Sequence, residues 1–585
     1  MQCSTAGRFT VVMWCFCFNL SSQSVSPTIP SRHAQSRSST ARKEQSPKPK
    51  LTLQQQHGLR LLKDAEAEAA GLKPAMRTYV LWQVSHGYRK VQPAKADTVL
   101  QAAFTASLVN EDEVQSEDCH MQLVCDVQAW LQREILQEML RSAGNKPSPE
   151  SVEKLLPQAN PEVRKQMLEG LAREYVEKRN FDRARQFMGQ MDEDRYSYFL
   201  VGELMDAIPA SRREERLGVF AQSLVNFQNR NLDSLGPDNY DDFGILVLRF
   251  WRQLPQSLVL DAVDTILERS KDRDESRKAH SVAMTLTNGG SLAFGSEYEF
   301  RLFQLLPILK ELDQSKAERL LGEHNEARLA LDRYPGGMQS LDPNYYGDHA
   351  PDEKAMPGVM EITPAVVDDP VKNGEYQSMI QLEAQIDAQI HRVVEEAGKD
   401  PEKAYQDAMN LPLRRARDKA GCPRASGLSS VALRLAQDYP TLARTAMNEA
   451  RRLAQDLDPF RQALLLAEIP DFYLKLGDED GARSAIKDQL KLAEKLYLID
   501  TDASDPNLAF KGAWPSANAW RNSIQQATKV SPAFAEEILE QIPDPDITGL
   551  QRVIYANSLL GAGKSSIAVV EWHKGGRRGG IFMSQ

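Results

Sequence analysis

The residues best suited to chemistry fall in a few short stretches. LLGAGKSS (559–566) carries the glycines, lysine and serine of a phosphate-binding loop. Such a loop needs a glycine five residues before its second one, so that backbone amides can curl round a phosphate. Ser558 stands there, and a helix-like run precedes where a strand is required, so a glycine C-cap ending the last helix is the better reading. TNGGSLAFGS (287–296) offers amides that a helix N-terminus could turn on an anion, but reads more simply as a glycine-rich loop between helices. Cys119, His120 and Cys125 form the densest soft-ligand group, without a fourth ligand or a zinc-like spacing. Glu323-His324-Asn325-Glu326, and Asp348-His349 with Asp352-Glu353, mix histidine with carboxylates in the manner of acid–base or divalent-ion sites. Solvated loops and helix ends use the same residues. Asp238-Asn239-Tyr240-Asp241-Asp242 lacks the alternating ligands and distal Glu of a calcium loop. Arg414, Arg415, Arg417 and Lys419, with Arg424, make a basic cluster that an acidic partner or phosphate would fit. It has no interleaved aromatic residues on which bases could stack. No catalytic, cofactor-binding or metal-ligating set emerges, and no cofactor is expected.

Elements that would position these groups must be drawn from 585 residues, too many for one ordinary core. Hydrophobic residues make up 42% and charged residues 26%, a globular balance. Charge is unevenly placed. Residues 1–50 hold seven basic side chains against Glu44 alone, a net of +6, so the rest must carry −16 to give the chain's −10. A body that acidic lacks the footprint of a nucleic-acid binder. Arg8 precedes the apolar run FTVVMWCFCFNL (9–20), followed by SSQSVS. This predicts a signal peptide over 1–24 and export to a periplasmic or extracellular space, with a cytoplasmic chain as the outcome if it is no signal. Twelve helical residues reach ~18 Å, short of a ~30 Å hydrocarbon core, so no membrane span is expected. Outside that segment, Cys119 and Cys125 can close a local disulfide or remain two buried thiols, with Cys422 left over.

Residues 25–50 read as a disordered basic linker rich in Ser, Gln and Pro. From 51 to 333 the apolar spacing is helical almost throughout, giving an N-terminal block. A connector dense in Pro, Gly and Asp follows at 334–376, then a second helical block at 377–563. The tail 564–585 is the one β-like stretch, a hairpin candidate around its glycines and the basic KGGRRGG.

Within the first block, 167–190 has the form of a helical hairpin. Leu168, Leu171, Ala172 and Tyr175 share one face, a polar turn follows, and Ala184, Phe187 and Met188 open a second face. A related unit returns 298 residues later, where Tyr473, Ala482 and Arg483 match Tyr175, Ala184 and Arg185. The Tyr-to-Ala spacing of nine, with a small residue three before the Tyr, resembles the tetratricopeptide repeat. That resemblance implies that Leu168, Ala172, Tyr175, Ala184, Met188, Tyr473 and Ala482 pack the repeat interfaces; Pro470 departs from the usual small residue.

The fold expected is all-α: stacked antiparallel helical hairpins, an α-solenoid in two blocks. Such hairpins bury their apolar faces only against neighbours and leave a concave surface. The function expected is that of a non-enzymatic interaction or scaffold protein with another polypeptide as partner. The alternative is a carbohydrate-active lyase or hydrolase on an α/α barrel, which would need carboxylates converging in one pocket.

Overall fold

The computed structural model describes residues 51–109, 127–141, 149–192, 196–230, 243–276, 281–286, 291–341, 359–365, 370–415, 421–503, 510–562, 567–570 and 581–584. The fold is all-α in class. The first half holds α1 (Leu53–Glu68), α2 (Pro74–Val91), α3 (Pro93–Ser107), α4 (Val127–Arg141), α5 (Pro149–Leu155), α6 (Pro161–Glu177), α7 (Phe181–Met188), α8 (Tyr198–Ala207), α9 (Arg213–Asn229), α10 (Phe243–Phe250), α11 (Gln256–Ser276), α12 (Glu297–Leu312), α13 (Gln314–Glu323) and α14 (Asn325–Arg333). The second holds α15 (Pro370–Glu396), α16 (Pro401–Met409), α17 (Pro423–Leu435), α18 (Pro440–Ala454), α19 (Pro459–Leu466), α20 (Ile469–Lys475), α21 (Glu479–Ala503), α22 (Pro515–Val530), α23 (Pro532–Gln541) and α24 (Pro545–Leu560). None of them is long and apolar enough to cross a membrane.

A short grammar starts many of these helices. Asn160-Pro161, Asp400-Pro401, Asp458-Pro459, Ser531-Pro532 and Asp544-Pro545 each place a capping side chain directly before a proline. The cap oxygen accepts an amide of the first turn, and proline occupies the position whose N–H has no helical partner. Gly561 ends α24 in the left-handed conformation (φ 65°), which makes the first glycine of LLGAGKSS a helix cap.

The hydrophobic core spans the connector, though not through the helices that directly follow it. One continuous cluster takes in Leu61 to Leu341 and also Phe460 to Leu560, while a smaller one spans Val393 to Ala485. Cores on the two sides of 334–376 are joined because the last helix, α24, packs against the first two, α1 and α2. Glycines set the closeness of that seam. A Cβ on Gly58 would lie 2.9 Å from Leu560 Cγ, and one on Gly87 would lie 2.5 Å from Asn557 Oδ1. Asn557 Nδ2 donates to the Gln83 carbonyl at 2.9 Å, and Asp546 accepts the Lys73 amide at 3.1 Å. Nearby, Asp500 is fully buried and accepts the Ser516 amide at the start of α22 (2.9 Å).

The two matched hairpins share their turns bond for bond. In the first, the Asn180 amide donates to Tyr175 O (2.9 Å) and the Ala184 amide to Asn180 O (3.0 Å). In the second, Asp478 donates to Tyr473 O (2.9 Å) and Ala482 to Asp478 O (3.1 Å). The left-handed residue closing each first helix is Arg179 (φ 57°) in one and Gly477 (φ 71°) in the other. Asn180 and Asp478 then cap the second helices by accepting the amides of Arg183 and Gly481.

The glycine-rich loop reading of 287–296 is corrected. Ser291–Phe294 is a strand (β2), antiparallel to β1 (Ser281–Leu286), which also pairs with β3 (Val359–Ala365) in the order β2-β1-β3. Val282, Met284, Leu292 and Phe294 point inward, a period-two burial that six- and four-residue runs show only faintly in sequence. At the start of the following helix Asp274 accepts the amides of Glu297 (3.0 Å) and Tyr298 (2.9 Å), Ser296 accepts that of Glu299 (3.1 Å), and the Gly295 amide donates to Glu326. In the tail, β4 (Ile567–Val570) pairs antiparallel with β5 (Ile581–Ser584).

Two predictions follow from these contacts. A non-glycine residue in the left-handed region carries strain, so Arg179→Gly should stabilise the protein by about 0.5–1 kcal/mol, whereas Gly477→Ala should cost about 1 kcal/mol or more. Paired urea melts check both. Burial, partly offset by the Ser516 hydrogen bonds, raises the Asp500 carboxyl from 3.8 to about 7. A raised carboxyl pKa means stability present at low pH and lost as pH climbs through that window, by about 1.4 kcal/mol per pH unit. Asp500→Asn, whose amide oxygen can still accept the Ser516 amide, should therefore gain on the wild type between pH 5 and pH 8. Equal pH profiles in thermal melts would refute the assignment.

Candidate binding cleft

A cleft lies beside the repeat hairpin of the first half. Its volume is about 520 Å³, within the roughly 300–1,000 Å³ usual for ligand sites. It opens between α7, α8 and α9, and its walls are built by helical spacing. Gly218, Gln222 and Asn226 recur every four residues along α9, and Met188 and Leu204 come from α7 and α8. Val219, Met188 and Leu204 are buried parts of the core and form an apolar base. Polar groups rim it. Gln222 Nε2 donates to Asn226 Oδ1 at 3.0 Å, leaving the other amide atoms of the pair one helical turn apart. The Tyr196 hydroxyl lies 3.3 Å from Ser223 Oγ. Burial raises its pKa, with the Ser223 and Asn226 hydrogen bonds opposing, so this phenol stays neutral.

Arg185 stands at the edge of the cleft and ties α7 to α9. It pairs with Asp182 on its own helix and reaches Glu215 at 3.6 Å; Glu215 is held in turn by Arg212 at 2.6 Å. The described lining residues include no carboxylate. Gly218 is exposed, and a Cβ built on it meets nothing within 4 Å.

The residues singled out from sequence take these places. Leu168, Ala172, Tyr175, Ala184 and Met188 are buried, with the Tyr175 ring stacked on Phe187 at 5.6 Å and its hydroxyl donating to Glu153 (2.8 Å). Ala482 is buried too. Tyr473 is half-buried and packs against the smaller core beside the fully buried Phe472, its hydroxyl accepting from Arg451 (3.2 Å). The basic cluster is not assembled as an open patch in the described residues. Arg414 is exposed, but Arg415 holds Glu383 (2.9 Å) and Asp387 (2.7 Å), and Arg424 donates to Leu411 O (2.9 Å). Arg417, Lys419, Cys119, His120, Cys125 and the His349 stretch lie outside the described residues. Cys422 is a buried free thiol. Among the described residues, no group of three His, Cys, Asp or Glu side chains is arranged to hold a metal.

Sequence reasoning missed Tyr196, Gly218, Gln222 and Asn226. Their signal is the polar stripe of GVFAQSLVNFQN, which spacing marks as one face of α9 but does not distinguish from any solvated face.

No known protein family matches the chain. No curated protein matches it either. Among solved structures, it is similar to one described as a circular tandem repeat protein with novel repeat topology and enhanced subunit contact surfaces, at 12% identity and a TM-score of 0.12, over 87% of this chain and 97% of that one. A likeness that faint carries no argument; the helical-repeat architecture rests on the helices and turns described above.

Proposed function

We propose that this is a non-enzymatic interaction protein of tetratricopeptide-like build that holds an extended segment of another polypeptide in the α7–α9 cleft. The observation that carries the reading is the cleft's composition. An apolar base of Met188, Leu204 and Val219 suits a partner's aliphatic side chain, and the amides of Gln222 and Asn226 suit the donors and acceptors of a peptide backbone. The acidic charge of the chain beyond residue 50 supports a protein rather than a nucleic-acid partner.

The exposed Gly218 supplies the test. A random peptide library displayed on phage should yield extended, aliphatic-containing binders. Gly218→Ala leaves the cleft open and improves the helix by about 0.5–1 kcal/mol, so it should bind as the wild type does. Gly218→Trp fills the cleft from an open position and should weaken the same peptides at least tenfold, with thermal melts confirming that it folds. Failure to enrich any peptide, or equal binding by both variants, sinks the proposal.

We further propose that the protein is exported, a reading supported by the run at 9–20 behind Arg8. The expected outcome is a secreted or periplasmic chain whose first residue, by N-terminal sequencing, lies near 25. Recovery of the intact amino terminus from the cytosol would overturn it.

A further inference from the structure

Arg185 is the one charged group among the described lining residues of the α7–α9 cleft. Its guanidinium carries five N–H donors. Asp182 and Glu215 both meet it at Nη2, the first by a hydrogen bond and the second at 3.6 Å. Nε and Nη1 make no hydrogen bond to a described residue. Neither acid holds the group firmly. Asp182 is three positions back on the same helix and 84% exposed, and exposed pairs of this kind are weak. Glu215 sits closer to Arg212, whose Nε is 2.6 Å away. Both acids stand outside the lining, so the group that faces the cleft is a cation with open donors.

The place of Arg185 along the cleft follows from Glu215. That residue precedes Val219 by about one helical turn, roughly 6 Å along the α9 axis at about 1.5 Å per residue. Two residues of extended chain span about 6.6 Å and carry their side chains on one face. A segment lying along α9 that seats an aliphatic side chain on Val219 and Met188 therefore brings the side chain two residues away to Arg185. Gln222 and Asn226 continue the row in the opposite direction.

Resting on the reading of this cleft as a peptide site, we propose that the segment it holds is acidic, with an Asp or Glu two residues from the aliphatic anchor whose side-chain carboxylate binds Arg185 through the donors that Asp182 and Glu215 leave open. Charge complementarity at contact carries this choice. Arg185 is exposed at the cleft's edge, where a chain can run on past it, which favours a side chain over a chain end as the source of the carboxylate. The chain beyond residue 50 is acidic as a whole, but at 0.1 M salt the field of exposed charges fades over about 10 Å, so the group at contact sets the preference.

Fluorescence anisotropy of labelled, C-terminally amidated pentapeptide pools with the full chain tests this. The pools are X-Leu-X-Glu-X and X-Glu-X-Leu-X, each beside the same pool with Gln in place of Glu. In one of the two orientations the Glu pool should bind about fivefold tighter than its Gln counterpart. Arg185→Gln should bring the two level. Asp182→Asn removes the competing carboxylate and should tighten the Glu pool further, a gain that misfolding cannot produce. Equal binding of Glu and Gln pools by the wild type, or a Glu preference that survives in Arg185→Gln, overturns the acidic partner. If Gly218→Trp still weakens those pools, the cleft remains a peptide site and this inference alone falls. Binding of no pool ends both readings. A pool ending in Leu-X with a free carboxyl terminus that outbinds the amidated Glu pools overturns the side-chain assignment in favour of a chain end.

Discussion

The architecture depends on the seam between the last helix and the first two. A helical hairpin exposes an apolar face at each end of an array, and that face must be covered. Here α24 is covered by α1 and α2, drawn from the opposite end of the chain. Gly58 and Gly87 permit the approach because any side chain there would meet Leu560, Leu62 or Asn557. Asn557 satisfies the Gln83 carbonyl within the seam, and Asp546 satisfies the Lys73 amide at the exposed start of α2. Buried polar groups of this kind cost free energy when unpaired and fix the register when paired. The last helices of the chain thus fold onto the first ones, and the smaller core is set off from the larger one both between Leu341 and Val393 and again among α19–α21.

Helices were legible because their signals are local. The five cap-proline pairs can be read directly from sequence, and the hairpin turns repeat the same hydrogen bonds at Tyr175 and Tyr473 despite Arg179 standing where Gly477 does. Long-range choices were not legible. Nothing near Gly87 announces Asn557, and nothing in the 334–376 composition says that cores on its two sides fuse. The small sheet was missed for a different reason. SVAMTL alternates correctly, with Val282 and Met284 buried, but six residues cannot be told from part of a helix by periodicity alone.

The candidate sites divide in the same way. Arg415 looks like an open cation in sequence because Glu383 and Asp387 are about thirty positions away, on α15, and their pairing is a fact of packing. Glu326 reads in sequence as one carboxylate in a solvated helix end, and the amide it accepts is that of Gly295, 31 positions back at the end of β2. Met188 shows the converse. It is buried in the core, and its neighbours on α8 and α9 turn the same position into the base of a cleft.

The helices behind the cleft are pinned to one another by arginine side chains. Arg269 on α11 donates to the carbonyls of Gln228 (2.7 Å) and Arg230 at the end of α9. One turn on, Arg273 grips both oxygens of Glu297 at 2.9 and 3.0 Å, with Arg301 at 3.7 Å, all of them buried. Asp274 adds two amide bonds to the start of α12. Breaking a buried ion pair of this kind by removing one partner costs on the order of 3–5 kcal/mol. Helices α9, α11 and α12 therefore act as a rigid strut. The cleft, whose base includes Val219 of α9, is thus backed by helices that keep its shape.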